Sequence, residues 1–466
     1  MKKLLSILLT FTLLTSMLLL FSCNFNSSTE TADDDPKSEP SIYAGAYDGS
    51  EVTINVWHTL STSSGVSPIE RASYKFMEMY PNITIKTQLF YSYEQLHNFS
   101  NDNPYSYSPP NLTFCNSEQI LKLVNDNKVI ALDGFINSQY VVESTGETMG
   151  FTQEQLNDFV PAFWEGEKLG TDGKMYSLPF LKETEVLYYN KTAFEELGLE
   201  PPTTWDEMEE CIKVIKEHYP DSTPLGYDSP ENLFITLAAQ YGSYYIGANG
   251  EYLFANDTNK AFVSKFAEWY QKGWLTTSYI THPTIEPFAN QQMFMSIATS
   301  LAAIYHYPNR INEEYEFELA VASIPQVDPS NPKANTSGIS FAILDSENAQ
   351  EIYASWLFLK YLTTDPEVQG LSAIPYKHIP VINSAKESKA YQDFLNRDTT
   401  WQYAPVEVIF EQECNYFVAP VFNSSVNAKS NVGLLVESIF SKYQLGEDNS
   451  QMIDEEFRKA LDECKK

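Results

Sequence analysis

Leu178-Pro-Phe180, followed by Glu185-Val-Leu-Tyr-Tyr-Asn-Lys191, is the stretch that decides the fold of this chain. Asp172-Gly173 makes a turn into it, and its Tyr-Tyr segment is typical of a strand. Pro201-Pro-Thr-Thr-Trp-Asp-Glu207 follows and predicts a helix, because a threonine there caps the first turn and the acidic residues after it favour the helix dipole. Strands that alternate with capped helices indicate an α/β fold.

The amino-terminal part of the body shows the same alternation. Val52–Trp57 alternates as a strand, the segment 68–80 has apolar residues at helical spacing, and the segment 83–89 resumes as a strand. This is a strand–helix–strand unit of the parallel-sheet type. The body, residues 51–466, is too long for one ordinary core, so the sequence predicts two lobes.

The amino terminus indicates export. Met1-Lys-Lys3 precedes a long uncharged run, which predicts a secretory signal peptide over residues 1–22. Leu20-Phe-Ser-Cys23 resembles a bacterial lipobox, so Cys23 is predicted to carry lipid and to anchor the chain in the cell envelope, on the extracytoplasmic side of the membrane. A cleaved signal without lipid and an uncleaved anchor helix stay open. Residues 23–50 are rich in Ser, Thr, Asp, Glu and Pro, which predicts a disordered tether.

Composition and motifs narrow the function. The chain has 62 acidic and 30 basic residues and a net charge of −32, which disfavours nucleic acid as a partner. HExxH, GxSxG, Walker and GxGxxG patterns are absent from the sequence, and histidines and cysteines lack metal-ligand spacing. We therefore expect no catalytic residues, no metal and no cofactor. An oxidising compartment permits disulfides, and we expect none or one among Cys115, Cys211, Cys414 and Cys464.

Short motifs follow one another along residues 51–466. They are Val56-Trp-His58, Leu178-Pro-Phe180 with Tyr188-Tyr-Asn-Lys191, Pro202-Thr-Thr-Trp-Asp-Glu207, Ala267-Glu-Trp-Tyr-Gln-Lys-Gly-Trp274, Phe358-Leu-Lys-Tyr-Leu-Thr363 with Asp365-Pro-Glu367, and Pro375-Tyr376 with Pro380-Val381 and Ser384-Ala385. In this order they resemble the family 1 extracellular solute-binding proteins, the group of the maltose and glycerol-phosphate receptors. The resemblance implies a monomeric substrate-binding lipoprotein of an ABC importer, which binds a mono- or oligosaccharide and delivers it to the permease transmembrane subunits.

The same resemblance implies the architecture. We expect an α/β, periplasmic-binding-protein-like fold with two lobes, three inter-lobe crossings, and a ligand cleft that closes by hinge motion. The crossings would fall near 183–186, 324–325 and 379–382, so that the amino-terminal lobe comprises 51–183 with 325–379 and the carboxy-terminal lobe comprises 187–323 with 382–466.

Candidate ligand residues lie where strands end. Trp57 and His58 end the first strand and Ser61 lies in the loop behind it, the position at which open α/β sheets bind ligands. Asn116 and Glu118 follow another strand and either meet sugar hydroxyls or cap the helix that begins there.

Three candidates come from positions that the family resemblance marks. Glu183 and Thr184 lie at the first crossing, where relatives commonly place a ligand contact, and Tyr376 matches a family ligand position. A solvated carboxylate and a packed turn tyrosine are the structural alternatives.

The remaining candidates are polar, aromatic or glycine residues near predicted element ends. Asn232 begins a helix, and Tyr241 either forms an aromatic wall or packs. Ser300 follows a strand after which several relatives have an aromatic residue, whereas this chain has Leu301, which weighs against a long stacked oligosaccharide. Gly338 lets the backbone approach a ligand closely.

Two other functions stay open from the sequence. An exported glycoside hydrolase would need a pair of carboxylates, for which Glu118 and Glu183 are the candidates. A sensor or adhesin on the same fold is the other alternative, since fold does not fix function. Neutral sugar is favoured over an anionic ligand, because no arginine can be assigned to the cleft from the sequence.

Overall fold

The computed structural model describes residues 43–61, 65–101, 108–169, 172–278, 284–396, 404–412 and 415–466. Residues 43–466 group together as one unit. The predicted signal peptide, Cys23, most of the predicted tether and Cys414 lie outside the described residues. No described helix is long and apolar enough to cross a membrane.

The carboxyl end of the predicted tether is ordered against the body. The composition predicts disorder as far as Ser50, but the Tyr47 side chain is only 3% exposed and belongs to a hydrophobic core. The Tyr43 hydroxyl donates a 2.5 Å hydrogen bond to Asp345 Oδ1. The prediction is therefore wrong for 43–50, because aromatic residues in an otherwise polar segment provide enough apolar surface to dock it.

The strands form one path of neighbours in the order β2-β1-β3-β11-β4-β7-β5-β6, with β10 and β12 also paired to β4 and β13 paired to β11. A separate two-stranded ribbon is made by β8 and β9. The strands are β1 Val52–His58, β2 Ile83–Leu89, β3 Leu112–Cys115, β4 Ser177–Asn190, β5 Leu225–Tyr227, β6 Leu275–Thr276, β7 Met295–Thr299, β8 Arg310–Ile311, β9 Glu314–Tyr315, β10 Leu319–Ala322, β11 Ala334–Ile343, β12 Ile379–Pro380 and β13 Tyr416–Val418.

Helices lie between most of the strands, which confirms the α/β alternation. Serine, threonine and asparagine caps begin several of them, including Ser67, Asn116 and Thr204. The helices are α1 Pro68–Met79, α2 Tyr93–Asn101, α3 Ser117–Asn125, α4 Asp133–Ile136, α5 Gln153–Asp158, α6 Pro161–Gly166, α7 Lys191–Leu197, α8 Trp205–His218, α9 Pro230–Gln240, α10 Asp257–Gln271, α11 Ile285–Ala289, α12 Ala349–Thr364, α13 Pro366–Ala373, α14 Lys389–Leu395, α15 Ala404–Glu411, α16 Asn423–Gln444 and α17 Ser450–Cys464.

The long strand β4 is shared by two parts of the sheet. Its first part, up to Thr184, pairs antiparallel with β11 and β12. Its second part, from Glu185 onward, pairs antiparallel with β7 and β10. The change of partners falls between Thr184 and Glu185, and we call this point the β4 junction.

Two hydrophobic cores accompany the two parts of the sheet. One contains large buried aromatic residues of β3, β4, β11 and the helices beside them: Phe76, Phe114, Phe180, Phe341 and Trp356. The other contains those of the second part and its helices: Tyr188, Trp205, Phe234, Trp269 and Phe440. Separate cores are what a body of this length requires, since single cores stop growing well below it.

A buried ion pair fixes the first part of β4 to its neighbours. Lys182 Nζ lies 2.7 Å from Glu167 Oε1, and both side chains are 6% exposed. Ser177 and Ser340 donate hydrogen bonds of 2.5 and 2.6 Å to the two oxygens of the same carboxylate. Because each charged group is satisfied, the cluster holds α6, β4 and β11 in one register.

Candidate functional site

A cavity of about 310 Å³ opens beside the β4 junction. Its wall comes from β4, β11, the start of α3, the start of α9, the segment after β13, and the first turns of α16. Its volume is at the small end of the range for small-molecule sites. It brings together these predicted ligand residues: Asn116, Glu118, Glu183, Asn232 and Gly338.

Glu183 provides a carboxylate at the floor of the cavity. Ser337, its register partner on β11, donates a 3.0 Å hydrogen bond to Glu183 Oε1. Burial raises the pKa of the Glu183 carboxyl, and hydrogen bonds from Ser337 and Thr299 together with the charge of Lys429 oppose that shift. The group is therefore a hydrogen-bond acceptor that is partly withdrawn from water, which suits a ligand hydroxyl.

Asn116 serves the helix and lines the cavity as well. Its Oδ1 accepts hydrogen bonds from the backbone N–H groups of Glu118 (3.1 Å) and Gln119 (2.9 Å), so the capping alternative is correct. The cap uses the side-chain oxygen as its acceptor, which leaves the side-chain N–H₂ group able to donate to a ligand. Glu118, in the first turn of α3, lies 3.9 Å from Lys429 of α16.

Polar side chains from α9 and β11 meet at the opposite wall. Asn335 Nδ2 lies 3.5 Å from Asn232 Oδ1, and both amides line the cavity. Thr184 is buried, and its hydroxyl donates a 2.9 Å hydrogen bond to the Asn335 carbonyl oxygen. Thr184 therefore supports this wall from behind and does not itself line the cavity, contrary to its prediction as a ligand residue.

Gly338 allows β11 to pass close to β4. Its φ is +136°, and a Cβ at this position would lie 2.3 Å from the Leu181 carbonyl oxygen. The register of the two strands shifts next to it, between Ile339 and Ser340. A glycine is required here by strand geometry as much as by the cavity.

Tyr93, Tyr245, Asn335, Ser337 and Lys429 line the cavity without having been predicted. Burial raises the pKa of Tyr93 to about 12 and also raises that of Tyr245, so both phenols stay protonated. Asn335 and Ser337 precede Gly338 on the same strand, so the prediction of Gly338 as a ligand residue could have been extended to them. Lys429 and Tyr93 lie within helices and carry no motif that marks them.

Trp57 and His58 are core residues, contrary to their prediction as ligand contacts. β1 continues through His58, and the two side chains are 2% and 1% exposed. Trp57 packs against Phe90 with ring centroids 4.8 Å apart, and His58 lies against Phe114. Burial lowers the pKa of His58 to about 4, so the imidazole is neutral.

Ser61, Tyr376 and Ser300 lie outside the lining of this cavity. The Tyr376 hydroxyl donates a 2.8 Å hydrogen bond to the Ser61 carbonyl oxygen, which joins two segments that are far apart in the sequence. Ser300 is buried and donates a 2.8 Å hydrogen bond to the Lys377 carbonyl oxygen, so its hydroxyl has a structural partner.

Tyr241 packs on the surface of the second part. It follows the last residue of α9 and stacks on Phe262, with ring centroids 5.6 Å apart and an interplanar angle of 9°. The packing alternative is therefore correct for Tyr241, and the aromatic residue of this segment that lines the cavity is Tyr245.

Charges and donors define what the cavity is able to bind. Among the described lining residues, the acidic groups are the carboxylates of Glu118 and Glu183, and the basic group is the ammonium of Lys429. Of the described arginines, Arg71, Arg310 and Arg458, none lines it. A phosphate would lack a bidentate clamp and would face two carboxylates, whereas neutral hydroxyls find amide, carboxylate and serine partners.

Within the described part of the chain, no group of three or more His, Cys, Asp or Glu side chains is arranged to hold a metal ion. Cys115, Cys211 and Cys464 are free and buried. Burial raises the pKa of Cys211 and of Cys464 to about 11, which keeps both thiols protonated and unreactive.

Residues 72–397 match the family described as bacterial extracellular solute-binding protein. The chain is 27% identical over 239 residues to a maltotriose-binding protein of Pyrococcus abyssi, with 50% of this chain and 49% of that protein aligned. It is 24% identical over 244 residues to a periplasmic sn-glycerol-3-phosphate-binding protein of Yersinia pestis, with 48% and 53% aligned. The chain thus spans about half the length of these curated relatives.

Solved structures match over more of the chain. A cyclic alpha-maltosyl-1,6-maltose binding protein from Arthrobacter globiformis has a TM-score of 0.67 at 17% identity, covering 89% of this chain and 98% of that one. The structure of UgpB from Mycobacterium tuberculosis in complex with glycerophosphocholine has a TM-score of 0.66 at 16% identity, and it covers 89% of this chain and 98% of that one. These likenesses confirm the predicted two-lobed, periplasmic-binding-protein-like α/β fold.

Trp57→Ala tests the corrected placement of that side chain. Because Trp57 is packed in a core, we expect the free energy of unfolding to fall by about 3–5 kcal/mol, measured by urea denaturation. Tyr74→Ala, at an exposed position on α1, is the control and should change it by less than about 1 kcal/mol. A Trp57 variant as stable as the control would show that the indole is not part of the core.

Proposed function

Because the chain belongs to the bacterial extracellular solute-binding protein family, we propose that it is the extracytoplasmic carbohydrate receptor of an ABC importer. The observation that carries this proposal is the lining of the cavity beside the β4 junction. Amides, a serine hydroxyl and a partly desolvated carboxylate converge there with two tyrosines. That combination matches the hydroxyl groups and C–H faces of a sugar.

A neutral carbohydrate fits better than an anionic solute. Relatives of both kinds occur, since one is a maltotriose-binding protein and another binds sn-glycerol 3-phosphate. The two carboxylates, Glu118 and Glu183, outnumber the single Lys429 in the lining, and the lysine lies close to Glu118. A phosphate would have to displace that carboxylate to gain the ammonium.

Binding would close the two lobes around the ligand by a hinge at the crossings. The change of partners along β4 supports a crossing at 183–186. The other proposed crossings are 324–325 and 379–382, which leave the lobes as 51–183 with 325–379 and 187–323 with 382–466. A monomeric receptor would then present both lobes to the permease subunits.

The same role requires attachment outside the cytoplasmic membrane. A lipid on Cys23, followed by a tether as far as about residue 42, would keep the receptor beside the permease while leaving the lobes free to move.

A glycoside hydrolase remains the second candidate because Glu118 and Glu183 line one cavity. No motif of the sequence, however, marks these two carboxylates as a catalytic pair, and the chain belongs to a family of solute-binding proteins. We therefore expect bound sugar to be recovered intact.

The cavity assignment is tested with glucose, maltose, maltotriose and sn-glycerol 3-phosphate. A carbohydrate should raise the melting temperature of the chain, and sn-glycerol 3-phosphate should not. Glu183→Ala should weaken carbohydrate binding about tenfold to a hundredfold, or about 1–3 kcal/mol, because a hydrogen-bond acceptor is lost.

The matched control for that experiment is Glu217→Ala, at an exposed position on α8, which should bind like the unaltered chain. Equal affinity of the Glu183 and Glu217 variants, measured by calorimetry, would show that the sugar lies elsewhere. Cleavage of the sugar in the same samples, followed by chromatography, would instead favour the hydrolase.

Cys23→Ser tests the anchor. Because acylation needs the thiol, we expect radiolabelled fatty acid to be incorporated into the full-length chain and not into the variant, when both are expressed in a bacterial host. Label retained by the variant would show that the lipid is not on Cys23.

A further inference from the structure

Glu185 is a buried carboxyl at the β4 junction that the cavity lining does not include. Its side chain is 3% exposed, and Thr236 of α9 donates a 2.6 Å hydrogen bond to its Oε2. Among the described residues it makes no salt bridge. This differs from Glu167, the other buried carboxylate of this region, which is paired with a lysine.

The surroundings of Glu185 disfavour its negative charge. Burial is the main cause, and the carboxylates of Glu231 on α9 and Glu183 on β4 add to it. Thr236, and Tyr227 of β5, act in the opposite direction. Together these groups raise the pKa of the Glu185 carboxyl from 4.5 to about 7.

Glu231 Oε2, a buried carboxylate oxygen in this neighbourhood, has no hydrogen-bond partner among the described residues. Glu185 is thus buried near two other carboxyl groups and has no salt-bridge partner among the described residues. Such surroundings favour the neutral form of a carboxyl group. The geometry therefore points to a carboxyl that is protonated in part of the physiological pH range.

Helix α9 connects Glu185 to the cavity. Asn232, Thr236 and Gln240 lie at i, i+4 and i+8, on one face of the helix. Asn232 lines the cavity, as does Ile235, while Thr236 holds Glu185. A shift of α9 at Thr236 therefore also moves Asn232, which lies one turn away and lines the cavity.

The same helix reaches the connection between β10 and β11. Gln240 Nε2 donates hydrogen bonds to the carbonyl oxygens of Pro325 (3.0 Å) and Lys333 (3.2 Å). Gln412 donates a 3.2 Å hydrogen bond to the Glu185 carbonyl oxygen and accepts one of 3.1 Å from the Ile324 amide. The β4 junction, α9 and the 324–333 segment thus form one hydrogen-bonded assembly.

We propose that Glu185 is a positioning residue for the cavity: as a neutral carboxylic acid it packs against α9 without repelling the carboxylates around it, and its ionisation weakens the binding of a neutral carbohydrate. The inference rests on the proposed function, because it concerns the affinity of the same cavity. Ionised Glu185 would repel Glu231 of α9 and Glu183 of the cavity floor, and so would move the walls that carry Asn232 and Ile235.

Proton and ligand are then linked. A ligand that replaces water beside Glu183, two residues along the same face of β4, makes the surroundings of Glu185 less polar and raises its pKa further. By reciprocity, the protonated chain binds the ligand more tightly. If the ligand raises the pKa by about one unit, affinity falls by about five- to tenfold between about pH 6 and about pH 8.5.

The stability of the unliganded chain follows from the same pKa. The folded chain retains a proton that the unfolded chain releases between about pH 4.5 and about pH 7. The contribution of Glu185 to stability is therefore complete below about pH 4.5 and is lost as the pH rises through about 7. Glu185→Gln, a neutral isostere, should remove this component of the pH profile.

The experiment compares the unaltered chain with Glu185→Gln, Thr236→Val and the surface control Glu217→Gln. Maltotriose is the first probe, replaced by whichever carbohydrate of the panel binds, and dissociation constants are measured by calorimetry from about pH 5.5 to about pH 8.5. Melting temperatures of the unliganded chains are measured over the same range.

We expect the affinity of the unaltered chain and of Glu217→Gln to fall above about pH 7, and that of Glu185→Gln to stay constant with pH. Thr236→Val removes a donor that stabilises the carboxylate, so it should move the midpoint of the loss to higher pH. A purely structural role for Glu185 would change affinity or stability without moving this midpoint.

A pH profile that is the same in the unaltered chain and in Glu185→Gln, for both affinity and melting temperature, would overturn the inference and leave the proposed function standing. Absence of binding by every carbohydrate at every pH would overturn the proposed function itself. If Glu185→Gln does not fold, an unchanged midpoint in Thr236→Val overturns the inference and a raised one supports it.

Discussion

One uninterrupted strand carries the hydrogen bonds of both parts of the sheet. The first part of β4 is held by β11 and β12 and the second by β7 and β10, and the partners change between Thr184 and Glu185. The cavity lies beside this junction, with Glu183 of β4 and Ser337 of β11 in its lining.

Two buried carboxylates on or against β4 are accommodated in different ways. Glu167 is neutralised by Lys182 and satisfied by two serine hydroxyls, which makes the first part of β4 rigid. Glu185 has a threonine donor and no cation among the described residues. Burial without a counter-charge favours the protonated form of a carboxyl group and raises the pKa of Glu185 to about 7, which is the basis of the proposed pH dependence.

Sequence patterns predicted the α/β alternation and the part of the site that lies at strand ends. Asn116 and Glu118 line the cavity because residues that follow the carboxyl ends of strands converge in such sheets, whereas Glu183 was expected from the family resemblance. The same rule failed for Trp57, since β1 extends to His58 and both of its faces are covered there. Burial depends on how distant segments pack, which no local pattern reports. Lys429 could not be foreseen for the same reason.

The most direct test is a crystal structure of residues 43–466 with maltotriose, or with the panel carbohydrate that binds. We expect continuous density for the sugar beside the β4 junction, with hydroxyls within hydrogen-bond distance of the Glu183 carboxylate and the Asn232 amide, and with α9 still bonded to Glu185 through Thr236. Density in another groove, for example the one lined by Asn55, Asn111 and Lys128, with this cavity empty, would contradict the assignment of the site.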